Sequence, residues 1–187
     1  LSVGEHNTDI LLTINRHEKF YHDFLKKVLR EDSMFIDVGA HLGCFALRVA
    51  RLCKRDLVIA LELDQHNYFY LITNAMLNNI FNIVVLPFVI YSSSDKLIEF
   101  KISGYLEWSS VTDLHKDSVT HVVKASTLAI DDVIVMLHLK RVDVIKIDVE
   151  GAEYEVLRGA EKTFQSLHPI LLVEIHGCLL YTSPSPR

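Results

Sequence analysis

The most informative stretch of this chain is Phe35-Ile-Asp-Val-Gly-Ala-His-Leu-Gly-Cys-Phe-Ala-Leu-Arg-Val-Ala50. It predicts a buried strand over residues 34–38, a glycine-bearing turn over residues 39–43, and a helix that continues to about residue 53. A strand that leads into a helix through glycines lets the backbone approach a ligand closely at the carboxyl end of the strand. The stretch therefore predicts a ligand site at that end.

The rest of the chain alternates strand and helix patterns. Further strands are predicted at 57–61, 83–86, 142–148 and 169–173, and helices at 16–30, 65–78 (with Asp64 as N-cap), 127–139 and 152–164. This order predicts an α/β fold with a doubly wound, mostly parallel, Rossmann-like sheet. Residues 97–102 alternate with period two and residues 119–124 are rich in β-formers, which predicts an antiparallel β excursion at about 97–124.

Composition excludes several classes of protein. The 187 residues are enough for one domain, and the formal net charge of -5 comes without a basic stripe, so we predict no nucleic-acid partner. No apolar run reaches about 18 residues, so we predict no membrane span. The helix at 16–30 is expected to cover the sheet rather than to anchor a membrane. Three scattered cysteines indicate free thiols in a reducing, cytoplasmic compartment.

Carboxylates follow the predicted strands. Asp37, Glu62, Asp148 and Glu174 each lie at the end of one of them. Because the carboxyl ends of parallel strands share one sheet edge, these side chains predict a site there, beside the turn at 39–43. Glu62 follows Gly39 by the interval at which such folds place an acid on ribose hydroxyls. The alternative for Glu62 is an acid near the next helix N-terminus.

The glycine turn argues for a cationic cofactor. It lacks both the G-x-G-x-x-G arrangement and the Gly-Lys-Ser/Thr of a P-loop. Asp37, two residues before the first glycine, would repel a pyrophosphate but suits an ammonium or sulfonium group. These features favour S-adenosylmethionine over NAD.

The chain resembles the FkbM-type methyltransferases, which are class I S-adenosylmethionine-dependent enzymes. The resemblance rests on residues 35–43, on Val144-Ile-Lys-Ile-Asp-Val-Glu-Gly-Ala-Glu153, and on Leu172-Val-Glu-Ile-His176. It implies methylation of a hydroxyl on a small molecule or sugar. The candidate cofactor contacts are Asp37, Gly39, Ala40, His41, Gly43 and Glu62, and the candidate catalytic residues are Asp148, Glu150 and His176.

Methylation of a hydroxyl calls for a base, because a hydroxyl is a weak nucleophile. Asp148, Glu150 or His176 could take its proton, and Lys146 has the strand parity to hold Asp148 ionised. Grouped acids also suit a divalent ion, but we predict no metal site. Trp108, in a polar loop, is expected to border the acceptor.

The expected boundaries are a helical lead-in at 1–30, the methyltransferase domain at 31–177 and a non-native or disordered tail at 178–187. The sheet is expected to be truncated after its fifth strand, and both ends of the chain look cut. A non-catalytic or inactive cofactor-binding module is therefore the alternative function. The sequence does not identify the acceptor or the oligomeric state.

Overall fold

The structure is a computed structural model that describes residues 16–103, 109–110, 119–149 and 151–175. In chain order its elements are α1 (Arg16–Val28), β1 (Phe35–Val38), α2 (Cys44–Leu52), β2 (Val58–Leu61), α3 (Gln65–Leu77), β3 (Ile83–Leu86), β4 (Val89–Ile90), β5 (Leu97–Ser103), β6 (Ser109–Ser110), β7 (Val119–Leu128), α4 (Ile130–Met136), β8 (Val144–Ile147), α5 (Glu153–Arg158), α6 (Glu161–Leu167) and β9 (Ile170–Val173).

The main sheet has five parallel strands in the order β3-β2-β1-β8-β9. The chain builds outward from β1 through β2 to β3 and then returns to the other side of β1 with β8. The carboxyl ends of β1 and β8 therefore form the point at which the strand order reverses, which is where open α/β sheets bind ligands. This architecture confirms the predicted doubly wound fold.

Helices cover both faces of the sheet, so its central strands are buried on both sides. Alternate residues of β1 point to opposite faces: Phe35 packs with residues of α1, α2 and α3, whereas Ile36 packs with residues of α4 and α5. On the first face Leu25 of α1 is 1% exposed, so α1 covers the sheet as predicted. Continuous apolar strands such as β2 follow from this double coverage.

The antiparallel excursion is a separate sheet of order β4-β7-β5-β6. Strand β5 pairs antiparallel with β7 and β6, and β4 pairs parallel with β7. Strand β7 is longer than predicted, because the backbone N–H of Thr127 donates to the carbonyl oxygen of Lys96 at 2.8 Å and that of Tyr91 donates to Leu128 at 3.0 Å. The expected helix at 127–139 therefore begins only at Ile130, and that prediction of its start was wrong.

The helix predicted at 152–164 is two helices, α5 and α6. The break lies at Gly159, where a Cβ would be 2.1 Å from the carbonyl oxygen of Tyr91. Asp131 of α4 then caps the second helix: its Oδ1 accepts hydrogen bonds from the backbone N–H and the hydroxyl of Thr163 at 2.8 and 2.7 Å, and its Oδ2 accepts one from the Lys162 N–H at 3.1 Å. A helix start fixed by a distant side chain leaves no local sequence signal.

Candidate active site

The turn between β1 and α2 is left-handed at three of its five residues. The φ angles are 80° at Gly39, 51° at His41 and 84° at Gly43. Glycine adopts these values without strain, which explains the glycines at both ends of the turn. The N–H groups of Gly39 and Ala40 both donate to the carbonyl oxygen of Leu61, at 3.0 and 3.1 Å. The turn is thus fastened to the carboxyl end of β2.

The same turn touches the end of β8. A Cβ on Gly39 would lie 1.8 Å from the carbonyl oxygen of Asp148. The N–H of Asp148 in turn donates to the carbonyl oxygen of Val38 at 3.0 Å. Because the two backbones are in direct contact, the turn and Asp148 hold a fixed relation to each other.

Glu62 is buried and joins the turn to the start of α3. Its Oε2 accepts a hydrogen bond from the N–H of His41 at 2.7 Å, and its Oε1 accepts one from the N–H of Asp64 at 2.8 Å. Burial raises the pKa of Glu62, although these two amides act in the opposite direction. Asp64 is the N-cap of α3, as predicted, and accepts from the N–H groups of His66 and Asn67.

Lys146 lies between two carboxylates. Its Nζ is 3.4 Å from Oδ1 of Asp37 and 3.0 Å from Oδ2 of Asp148. The Asp37 side chain is 0% exposed, that of Lys146 is 15% exposed and that of Asp148 is 29% exposed. Burial alone would lower the pKa of Lys146, but the charges of Asp37 and Asp148 outweigh it and raise the pKa to about 12. Lys146 is therefore a cation at neutral pH.

Burial has the opposite effect on Asp37. It raises the pKa of this carboxyl, and Lys146 only partly offsets the effect. Neither carboxylate oxygen of Asp37 receives a hydrogen bond from the described residues. The nearby charge that compensates this carboxylate is the ammonium of Lys146. The side chain lies beneath Lys146 rather than at the surface of the site.

The structure brings most of the predicted residues to one end of the sheet. Those gathered there are Asp37, Gly39, Ala40, His41, Gly43, Glu62 and Asp148. Glu150, His176 and Trp108 lie outside the described residues. Glu174 follows β9, where its N–H donates to the carbonyl oxygen of Ile147 at 3.0 Å.

Two contacts were not predicted from the sequence. One is the Lys146–Asp37 ion pair, which arises because the two residues are opposite each other in the β1–β8 register. The sequence shows only that Lys146 has the same strand parity as Asp148, and not the register that pairs it with Asp37. The other is the bonding of Glu62 to the turn, for which the sequence holds no signal.

Within the ranges that the structure describes, no group of three or more His, Cys, Asp or Glu side chains is arranged to hold a metal ion. Nor does this part of the chain contain a helix that is both long enough and apolar enough to span a membrane.

The profile of the family described as "Methyltransferase FkbM domain" matches residues 37–182, which include the turn, Glu62 and Asp148. The chain belongs to the FkbM methyltransferase family. Membership confirms the resemblance found in the sequence and supports S-adenosylmethionine as the cofactor.

Two curated relatives of this FkbM-family chain are also methyltransferases. "Methyltransferase 1" of Beauveria bassiana is 26% identical over 165 residues, which cover 78% of this chain and 65% of the relative. "Hexuronic acid methyltransferase AglP" of Haloferax volcanii is 29% identical over 148 residues, which cover 79% of this chain and 57% of the relative. The chain thus spans less than two thirds of the length of either relative.

A solved structure supports the fold. An rRNA methylase from Streptococcus thermophilus superposes with a TM-score of 0.50 at 17% identity, covering 82% of this chain and 66% of that one. At this identity the likeness shows the fold alone.

Proposed function

We propose that this chain transfers a methyl group from S-adenosylmethionine to a hydroxyl of a small molecule or sugar. The observation that carries the proposal is the contact between the left-handed turn at Gly39 and the end of β8 at Asp148. It supports a cofactor site and a candidate base next to each other at the point where the strand order reverses.

The residues present suit this cofactor. Each oxygen of the Glu62 carboxylate accepts one backbone N–H, and a carboxylate has about four acceptor positions. Glu62 can therefore bind ribose hydroxyls while it still holds the turn. The carboxylates of Asp37 and Asp148 outnumber the Lys146 ammonium between them, and the net negative charge suits a cation. Gly39, Ala40, His41 and Gly43 supply backbone at the sheet edge. When bound, S-adenosylmethionine supplies a methyl group activated by a sulfonium.

Asp148 is the described residue best suited to act as the base. Its carboxylate is partly exposed, and one of its oxygens is held by the Lys146 ammonium. A fixed carboxylate can take the proton that a hydroxyl loses as its oxygen is methylated. Glu150 and His176 stay candidates for the same role.

The Haloferax volcanii relative supports a sugar acceptor, since its name specifies a hexuronic acid. Such a sugar offers both hydroxyls and a carboxylate for methylation. A hydroxyl needs a base, whereas a carboxylate is already ionised at neutral pH. Involvement of Asp148 as a base therefore favours a methyl ether as the product.

Cofactor binding is the first test. The purified chain is titrated calorimetrically with S-adenosylhomocysteine, with NAD as the control. We expect binding of the first ligand only, and at least about tenfold weaker binding by Glu62→Ala, because its acceptor oxygens are gone. Glu99→Ala, the same substitution at an exposed glutamate far from the turn in sequence, is the matched control. Binding of NAD instead would contradict the proposed cofactor.

The acceptor is tested with S-adenosylmethionine labelled in the methyl group and a panel of hexuronic acid glycosides and neutral glycosides. We expect an alkali-stable methyl ether, and a loss of about 10²-fold in turnover with Asp148→Asn. An alkali-labile methyl ester, with turnover indifferent to Asp148→Asn, would contradict both the hydroxyl and the base.

A non-catalytic cofactor-binding module is the second candidate, because the chain spans only 57–65% of the length of its relatives. Binding of S-adenosylhomocysteine without transfer to any acceptor would favour it. The same assay on a protein extended to the length of the relatives would then show whether the added residues restore transfer.

A further inference from the structure

Lys146 connects the side chains of two aspartates from neighbouring parts of the sheet. Asp37 comes from the middle of the sheet, and Asp148 follows the end of β8. One ammonium reaches both, at 3.4 and 3.0 Å. The ring of Phe45 in α2 lies 5.4 Å from the same Nζ, at cation–π distance.

The surroundings of Lys146 leave its ammonium little freedom. Across the sheet it is flanked in register by Asp37 of β1 and by Leu172 of β9, and Phe45 packs over it from α2. The charged groups that act on it are Asp37 and Asp148. A lysine normally retains several rotamers, but an ammonium that is held by two carboxylates on a side chain only 15% exposed loses much of that freedom.

We propose that Lys146 is a positioning residue of the methyl-transfer site, whose ammonium is anchored by the buried carboxylate of Asp37 and in turn fixes the carboxylate of Asp148. The inference rests on the proposed function of Asp148 as the base. It gives Asp37 a role that requires no contact with a ligand: Asp37 holds the lysine, and the lysine holds the base.

A purely structural role for Lys146 makes different predictions. In that case the lysine only neutralises Asp37, and removing both charges together would recover most of the stability that Lys146→Met loses, because no uncompensated charge then stays buried. In our proposal the Asp37→Asn/Lys146→Met double variant regains stability but not turnover, because Asp148 has lost the group that orients it. The double variant therefore separates the two roles.

The ion triad is tested directly by NMR, without any ligand. Lysine side chains labelled with ¹⁵N are titrated from pH 8 to 11.5 in the whole chain. We expect the Lys146 ammonium to stay mostly protonated up to pH 11.5, and Asp37→Asn and Asp148→Asn each to lower its titration midpoint into the measured range, by about one pH unit or more. Asp95→Asn, at an exposed position with φ of 61° that asparagine tolerates, is the control. A midpoint unchanged by Asp148→Asn would overturn the proposal.

Turnover and cofactor affinity give the second readout. We expect Lys146→Met to bind S-adenosylhomocysteine within about threefold of the unmodified chain while its kcat falls about tenfold or more, with partial recovery in Lys146→Arg. The kcat of the double variant is expected to stay as low as that of Lys146→Met. A double variant with full kcat would show that Lys146 is only structural and would overturn the proposal. If the unmodified chain binds no S-adenosylhomocysteine, the proposed function fails, whereas the titration still decides whether Lys146 holds both carboxylates.

Discussion

The Cα of Gly39 lies against the carbonyl oxygen of Asp148 with no room for a side chain between them. A Cβ at position 39 would be 1.8 Å from that oxygen and 2.9 Å from the carbonyl carbon. Position 39 also has a φ of 80°, which side chains disfavour. Strain and overlap thus both require glycine where the turn and β8 meet.

Gly39→Ala is expected to lower the free energy of unfolding by more than about 3 kcal/mol and to abolish binding of S-adenosylhomocysteine, because the backbone at Asp148 has to move. Chemical denaturation and calorimetry measure the two effects. Gly43→Ala is the comparison: its φ is 84°, but the atom in the way is Cγ of the Leu71 side chain, at 2.6 Å. Equal losses in the two variants would show that φ strain alone matters.

Glu62→Gln tests the link between the turn and α3. Glutamine keeps one acceptor oxygen but places an N–H₂ group opposite the N–H of either His41 or Asp64, so one buried amide loses its partner. We expect a loss of about 1–3 kcal/mol in unfolding free energy, together with weaker binding of S-adenosylhomocysteine. Unchanged stability would mean that these hydrogen bonds do not hold the turn.

The raised pKa of Lys146 predicts that the folded chain loses stability at high pH. Its pKa is raised from 10.5 to about 12 in the folded chain, so the stability that it contributes is complete below pH 10.5 and is lost as the pH rises through 12. The shift corresponds to about 2 kcal/mol. Urea denaturation between pH 8 and 12 should show this loss in the unmodified chain but not in the Asp37→Asn/Lys146→Met double variant. If the free energy of unfolding changed equally with pH in the two proteins, the raised pKa of Lys146 would be contradicted.

Asp131→Ala should destabilise α6 by about 1–2 kcal/mol, because the first turn of that helix loses the side chain that accepts from Lys162 and Thr163. Thermal unfolding measures the effect. Glu161→Ala, which removes an exposed acid from the same first turn, is the matched control and should cost less. A larger loss from the control would place the cap at Glu161 instead.

Arg141 joins three aspartates at the amino ends of the strands, away from the site. Its guanidinium is 2.9 Å from Asp56, 3.1 Å from Asp143 and 3.8 Å from Asp32. We expect Arg141→Met to lower stability by about 1 kcal/mol, less so in high salt, and to leave binding of S-adenosylhomocysteine unchanged. If the folded Arg141→Met variant lost ligand binding, the amino ends of the strands would not be independent of the site at their carboxyl ends.

The sequence was sufficient to predict the strands and most helices, since their patterns are local. Apolar runs such as β2, an N-cap such as Asp64 and the glycines at 39 and 43 each record a requirement of their own segment. The start of α4 and the break between α5 and α6 were missed because they depend on partners elsewhere: Lys96 pairs with Thr127, and Tyr91 crowds Gly159.

The sequence by itself determined the family, the glycine turn and the set of carboxylates at the strand ends, because these are properties of residue type and spacing. Only the tertiary structure decided which groups Asp37, Glu62 and Asp148 contact. The β1–β8 register brings Lys146 beside Asp37, and the pairing of β1 with β2 places Glu62 under the amide of His41. The Glu62–His41 contact joins residues that are 21 positions apart in the sequence, and the Lys146–Asp37 contact joins residues that are 109 positions apart. Which residues meet over such a separation is set by how the strands pair, and not by the residues between them.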